Sequence, residues 1–312
     1  GGLGGSAADL MVVCEALGRG VVREPYLHTA VICGSLLRFG ADQDQQERYL
    51  PGLIAGEQQW AFAFAEASGG YSLAARETVA REQGDGWRLA GRKIAVLNGH
   101  CADTFIASAC DASGDTGLFL VDATQSGLRR EPFAALDGSR GAVLELDGVE
   151  VAADAVLAAP GSAGSLIEAA VDRAIVAMAA ESLGAMQCLL DATVEYTKTR
   201  EQFGQAIGKF QALQHRMADM YMKIEELRSL LFNAVIRMDE DSEESPAACA
   251  ALKVKMAEAG RFVSQQAVQL HGGIGMTDEL IVGHHYKRLL LLSKLFGDED
   301  FYLERYRQLQ AA

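Results

Sequence analysis

The sequence predicts an α+β chain in three segments: a helical segment over residues 1–58, a compact β domain over 59–152 and a C-terminal helical bundle over 165–312. Three observations carry this prediction. Apolar residues recur every three or four positions before residue 55 and again after residue 165, the period of helices that bury one face. Between them the period drops to two, with Trp60, Phe62 and Phe64 alternating with alanines and further short apolar runs separated by Gly and Asp. The stretch 153–164, rich in Ala and Gly and containing Pro160, reads as the linker between the β domain and the bundle.

In chain order, the opening Gly1-Gly2-Leu3-Gly4-Gly5 has no strand before it, so it reads as a flexible turn rather than a phosphate loop. Helices are expected over 7–17, 28–39 and 45–54, with Pro51 placed to bend or end the last of them. Strands are expected over 87–89, 93–97, 104–109, 118–121 and 143–146. Four helices then fit at 166–200, 209–239, 246–268 and 288–312, antiparallel neighbours joined by short loops. The acidic connector Asp239-Glu240-Asp241-Ser242-Glu243-Glu244 reads as a solvated turn, since its spacing does not match a calcium loop.

With 312 residues and 49% hydrophobic content the chain can bury one large core or two to three smaller ones. A net charge of −14 argues against nucleic acid, which needs a basic footprint. It leaves a phosphate-bearing ligand open, because a few local Arg residues and amide donors suffice. No apolar run approaches ~18 residues, so no membrane span is expected, nor is a signal peptide. The six cysteines have no CxxC spacing, and His271, His284 and His285 lack convergent ligand spacing; reduced thiols, no metal site and a cytoplasmic protein are the expectation.

Chemistry-bearing residues gather in the stretch 196–221, YTKTREQFGQAIGKFQALQHRMADMY. Phe210, Leu213, Met217, Met220 and Ile224 recur at helical spacing, so its second half is an amphipathic helix, while Gly204 and Gly208 mark a bend before it. At the bend stand Arg200, Gln202 and Phe203. Arginine is the side chain best suited to holding a phosphate at two points. Further on, Gln269-Leu270-His271-Gly272-Gly273-Ile274-Gly275 sets an amide side chain ahead of paired glycines at a helix end.

Together, this Arg-x-x-Phe-Gly-x-x-Ile-x-x-Phe-Gln segment and the later Gln-x-x-Gly-Gly-x-Gly resemble the acyl-CoA dehydrogenase family, and the resemblance covers nearly the whole chain. It implies that family's fold, FAD as cofactor, α,β-dehydrogenation of an acyl-CoA thioester and an electron-transferring flavoprotein as acceptor. The 1–58 segment then corresponds to the tail of the family's N-terminal helical domain, with earlier helices outside the sequence. In the family the Arg of the first motif contacts the FAD pyrophosphate, the aromatic lies by the adenine half, and the Gln-Gly-Gly segment holds that half too. These residues reach across a dimer interface to the neighbour's flavin. Carried over, they are Arg200, Phe203, Gln269, Gly272 and Gly273.

The same resemblance places flavin contacts of the β domain at 65–72 and 93–99. Glu66, Gly70, Ser72, Lys93, Asn98 and Gly99 match, but Ala65 and Leu97 stand where the family has Thr, and Ala95 where it has Trp. Methyl and isobutyl groups cannot hydrogen-bond a flavin ring, and Tyr71 adds bulk there. The family's catalytic Glu position falls on Gly297. Its alternative site, on the first long bundle helix, carries Arg173, Ala174 and Ile175, with Asp172 the nearest acid. Asp298 and Glu299, one and two residues past Gly297, are the candidate catalytic acids, against a competing reading as surface or capping groups.

The half of the cofactor site offered to a neighbour is thus intact, and the half for the chain's own flavin and base is eroded. This pattern is similar to the small subunit of the two-subunit acyl-CoA dehydrogenases of bacterial sterol and dicarboxylate degradation, with a related chain as partner. Two alternatives stand beside it: a self-sufficient homo-oligomeric dehydrogenase using Asp298 or Glu299, and a flavin-free interaction subunit.

Overall fold

The computed structural model describes residues 3–311, so Gly1 and Gly2 of the opening glycine run and Ala312 of the last expected helix lie outside the described residues. The chain divides into two compact units, Gly1–Gly4 with Arg23–Ala174, and Gly5–Val22 with Ile175–Ala312. The first helix, α1 (Ala7–Arg19), belongs to the second unit.

The first unit opens with a π-helical turn, Tyr26–Cys33, which runs into α2 (Gly34–Gly40); α3 (Gln43–Ile54) follows, started by a reciprocal cap between Asp42 and Gln45. Eight strands then form one sheet. They are β1 (Trp60–Ala63), β2 (Val79–Gln83), β3 (Gly86–Leu97), β4 (Thr104–Cys110), β5 (Thr116–Asp122), β6 (Leu128–Ala134), β7 (Arg140–Val151) and β8 (Val156–Ala158). Their order is β6-β7-β3-β2-β4-β5-β8, with β1 parallel beside β4. Leu89, Phe105, Phe119, Leu144 and Val149, none of them solvent-exposed, make its core. Three strands escape the expectation: β2 and β6 because they are polar, and β8 because it lies within 153–164, read as a linker but in part a strand paired with β5. As an edge, β6 pairs on one side only and carries Arg129, Arg130, Glu131 and Pro132, residues that keep a free edge from recruiting another strand.

Helix α4 (Ala163–Thr199) belongs to the first unit as far as Ala174 and to the second thereafter. It is long and apolar enough to cross a membrane, yet 83% of its most apolar stretch is buried in the protein, as in a core helix. After it come β9 (Glu201–Gln202), β10 (Gln205–Ala206), α5 (Gln211–Asp239), α6 (Ser245–His271), α7 (Ile281–Lys294) and α8 (Glu299–Ala311). The expected last helix is thus two, and five helices rather than four follow the β domain. The break falls where Phe296 and Gly297 take φ of 60° and 134°, outside the helical region.

Two glycines set the packing of α1 on α4. A Cβ on Gly18 would lie 1.9 Å from the Glu181 carbonyl oxygen, and one on Gly184 would lie 2.0 Å from that of Glu15. Two backbones in contact leave no room for a side chain. The start of α1 is capped by Asp239, whose carboxylate accepts from the Ala7 and Ala8 N–H groups at 2.7 and 3.2 Å. The acidic connector therefore begins with a residue that holds two elements together, not only with a solvated charge.

Candidate functional site

Arg200 follows the last residue of α4, and the chain then folds into a minimal hairpin in which Gln202 pairs with Gln205 and Glu201 with Ala206. The bend expected here is this hairpin. Its two tip residues, Phe203 and Gly204, both have positive φ (55° and 79°), the geometry of the tight turn that matches strand twist. Glycine accepts such a φ freely; a phenylalanine there is strained by about 1 kcal/mol or more. The Phe203 ring is nevertheless 92% exposed, touching Phe210 edge-on at 6.2 Å between centroids. Among the described residues, no side-chain hydrogen bond or ion pair engages the exposed Arg200. The bend thus presents a strained aromatic and a guanidinium side by side at the surface.

The second arm lies alongside. Helix α6 ends at His271, whose ring stacks on Tyr196 of α4 at 4.5 Å and 27°, one turn before Arg200. Gln269 is exposed, and so are Gly272 and Gly273, where a Cβ on either would meet nothing within 4 Å. Gly272 has φ 66° and turns the chain out of the helix. The structure therefore brings all five expected contact residues to one end of α4 and α6. Ile274 and Met276, 45% and 77% exposed, extend this end with apolar surface.

A guanidinium, a carboxamide and open glycine backbone are the donor set that suits a dinucleotide pyrophosphate and its adenosine half. The bare ground over Gly272 and Gly273 lets a ligand approach the backbone closely. The residues of this arm fit FAD.

In the β sheet the family-like residues are spent on the protein itself. Glu66 is buried and accepts from the Arg76, Glu77 and Thr78 N–H groups at 2.7, 2.8 and 2.9 Å and from Lys93 Nζ at 2.7 Å. Burial pushes its carboxyl up, but the Lys93 ammonium and these N–H donors outweigh that and hold it at about 2. Lys93, with no exposed surface, also donates to the Phe64 carbonyl and to Ser108 Oγ. Asn98 Nδ2 donates to Thr29 Oγ1 and the Trp60 carbonyl, both at 3.1 Å. Ser72 Oγ serves a local turn with Ala74, and Leu97 is buried hydrocarbon. Ala95, at φ 51° in a bulge of β3, is exposed.

The candidate acids at the C-terminal end are also occupied. Asp298 caps α8, its Oδ1 accepting from the Phe301 N–H at 3.2 Å and its Oδ2 from Lys294 at 3.1 Å. Glu299 pairs with Arg261 at 2.8 Å. A Cβ on Gly297 would sit 2.5 Å from the rings of Phe301 and Tyr302, so no side chain fits where the family-like Glu was sought. Sequence reasoning missed Glu181, a buried acid of α4 held by Arg288 of α7 through two bonds of 2.6 and 3.1 Å. Helical spacing gave no sign of it, because its partner lies 107 residues away.

Sequence profiles of the acyl-CoA dehydrogenase N-terminal, middle and C-terminal domains match residues 1–57, 61–149 and 165–307. The short-chain-specific acyl-CoA dehydrogenase of Megasphaera elsdenii is 31% identical over 268 residues, 83% of this chain and 70% of that protein. This chain belongs to the acyl-CoA dehydrogenase family. Members of the family bind FAD and are oxidoreductases. Among solved structures, the steroid ACAD Tcur3481-Tcur3483, studied as a variant, superposes with a TM-score of 0.87 at 32% identity, covering 98% of this chain and 81% of that one. The ChsE4-ChsE5 complex of Mycobacterium tuberculosis gives 0.89 at 27%, covering 98% and 80%. The acyl-CoA dehydrogenase fold thus accounts for the order of helices, sheet and helices found here.

Proposed function

We propose that this chain is the subunit of a heteromeric acyl-CoA dehydrogenase that completes the FAD site of a related, base-bearing partner. The observation that carries the reading is a contrast. Arg200, Phe203 and Gln269 are exposed, and among the described residues the Arg200 and Gln269 side chains have no hydrogen-bond or ion-pair partner, while Glu66, Lys93 and Asn98 are consumed internally and Gly297 admits no side chain. Two of the structural neighbours carry paired subunit names, which agrees with a two-chain enzyme. FAD, when bound, supplies the acceptor for the substrate's β hydride. For this chain, Arg200 binds the pyrophosphate, Phe203 packs by the adenine half, and Gln269 with Gly272 and Gly273 orients that half. The carboxylate that removes the α proton belongs to the partner, since Asp298 and Glu299 are held as a cap and an ion pair. An acyl-CoA is the substrate, an electron-transferring flavoprotein the acceptor and the cytoplasm the compartment.

The test is bound flavin per polypeptide, read by absorbance for the chain alone and for the chain co-expressed with its partner. Little flavin alone and one per pair together is expected, with Arg200→Ala in this chain cutting retention by at least tenfold, the scale of a lost charge-assisted contact (~1.5–3 kcal/mol). One flavin per lone chain would instead establish a self-sufficient enzyme. No flavin in either form would establish a flavin-free interaction subunit.

A further inference from the structure

The two arms of the cofactor surface belong to elements far apart in sequence, and one side-chain pair joins them. His271 is the last residue of α6 and is 4% exposed. Its Nδ1 lies 2.8 Å from the Ala267 carbonyl, which only accepts, so Nδ1 carries the hydrogen and the ring is fixed in rotation. One face of that ring stacks on Tyr196. Tyr196 in turn fixes Arg200 through the backbone, the Arg200 N–H donating to the Tyr196 carbonyl at 2.8 Å. On the other side, Gly272 follows His271 directly, and the chain folds back so closely that a Cβ on Gly275 would lie 3.1 Å from His271 Cβ.

We infer that His271 is a positioning residue: by stacking on Tyr196 while bonded to Ala267, it sets the spacing between Arg200 and the Gln269–Gly273 arm, so that one dinucleotide meets both at once. The inference rests on the proposed role of this surface in holding FAD. A dinucleotide bridging two arms tolerates little error in their separation, because a contact displaced by about 1 Å is largely lost. An aromatic stack at this spacing is the kind of contact that fixes such a separation without touching the ligand.

The experiment uses the co-expressed complex, stripped of flavin and titrated with FAD by fluorescence. His271→Ala and Tyr196→Ala are each expected to weaken FAD binding about tenfold, the upper range for one aromatic stack. Tyr196→Phe, which keeps the stacked ring, stays within about twofold of the unaltered complex. The double alanine variant is no weaker than either single one, because both remove the same contact. Should the alanine variants fail to assemble, Tyr196→Leu, which keeps bulk without the ring, carries the same expectation. Additive losses in the double variant, or unaltered FAD binding in both single variants while Arg200→Ala still weakens it, would overturn the positioning role alone. An Arg200→Ala complex that binds FAD normally would overturn the reading beneath it.

Discussion

At Gly297 the geometry decides a question that chemistry alone leaves open. A glutamate introduced there has φ 134° to adopt and the Phe301 and Tyr302 rings to displace, so Gly297→Glu does not create a base. Thermal unfolding of the lone chain should show a loss on the order of 3 kcal/mol with no gain of dehydrogenase activity; an unchanged melting temperature would mean that the turn adapts. His285 makes a second prediction. It is fully buried, and neither ring nitrogen has a hydrogen-bond partner among the described residues. Burial, with the neighbouring His284 charge, pushes its pKa down to about 4. The unfolded chain takes up this proton near pH 6.5 and the folded chain does not, so stability is full above that pH and falls as pH drops towards 4. His285 should contribute roughly 2 kcal/mol to the difference in urea unfolding between pH 7 and pH 5, and His285→Leu removes that share. His100, lowered by burial and by Arg140 and Arg130, acts in the same window with the same sign. Glu66 does not confuse the result, because its contribution is lost only below its unfolded pKa of 4.5.

The crossing of α1 on α4 is the most exacting contact between elements. Gly184→Val should destabilise the chain by about 3 kcal/mol or prevent folding, since a side chain must force apart backbones already in contact. Gly164→Ala, on the same helix with open space at its Cβ, serves as the control and should be neutral or slightly stabilising. A Gly184→Val chain as stable as that control would show that the helices slide apart at little cost. Elements were legible in the sequence by two signals: α1, α3 and α5 follow from helical period, while β4 and β5, buried on both faces, read as short apolar runs. β7 and the two halves of β3 were read as short runs too, with their continuation across Gly91 and Asp147 missed. The strands β2 and β6 were not legible, because both are mostly polar and offer no apolar alternation, although β2 lies between β3 and β4 and only β6 is an edge. β8 was hidden because its three residues lie in the stretch read as a linker. The split between α7 and α8 was hidden for a different reason. Leu295 and Phe296 continue the apolar pattern through the break, and only backbone φ shows that Phe296 leaves the helix.

For the whole molecule, the order of helical, β and helical segments was legible, and the residues read as a cofactor arm do stand exposed at the ends of α4 and α6. What the sequence withheld is how the acids are used, because a cap such as Asp298 and an ion pair such as Glu299–Arg261 depend on partners that only the fold supplies. The loop over 66–78 is closed by Glu66 bonds to Arg76, Glu77 and Thr78, and locked from beneath by Lys93. Protein atoms alone hold it shut. Closing this loop therefore needs no cofactor, and under the division of labour proposed above the chain is a finished component before flavin arrives.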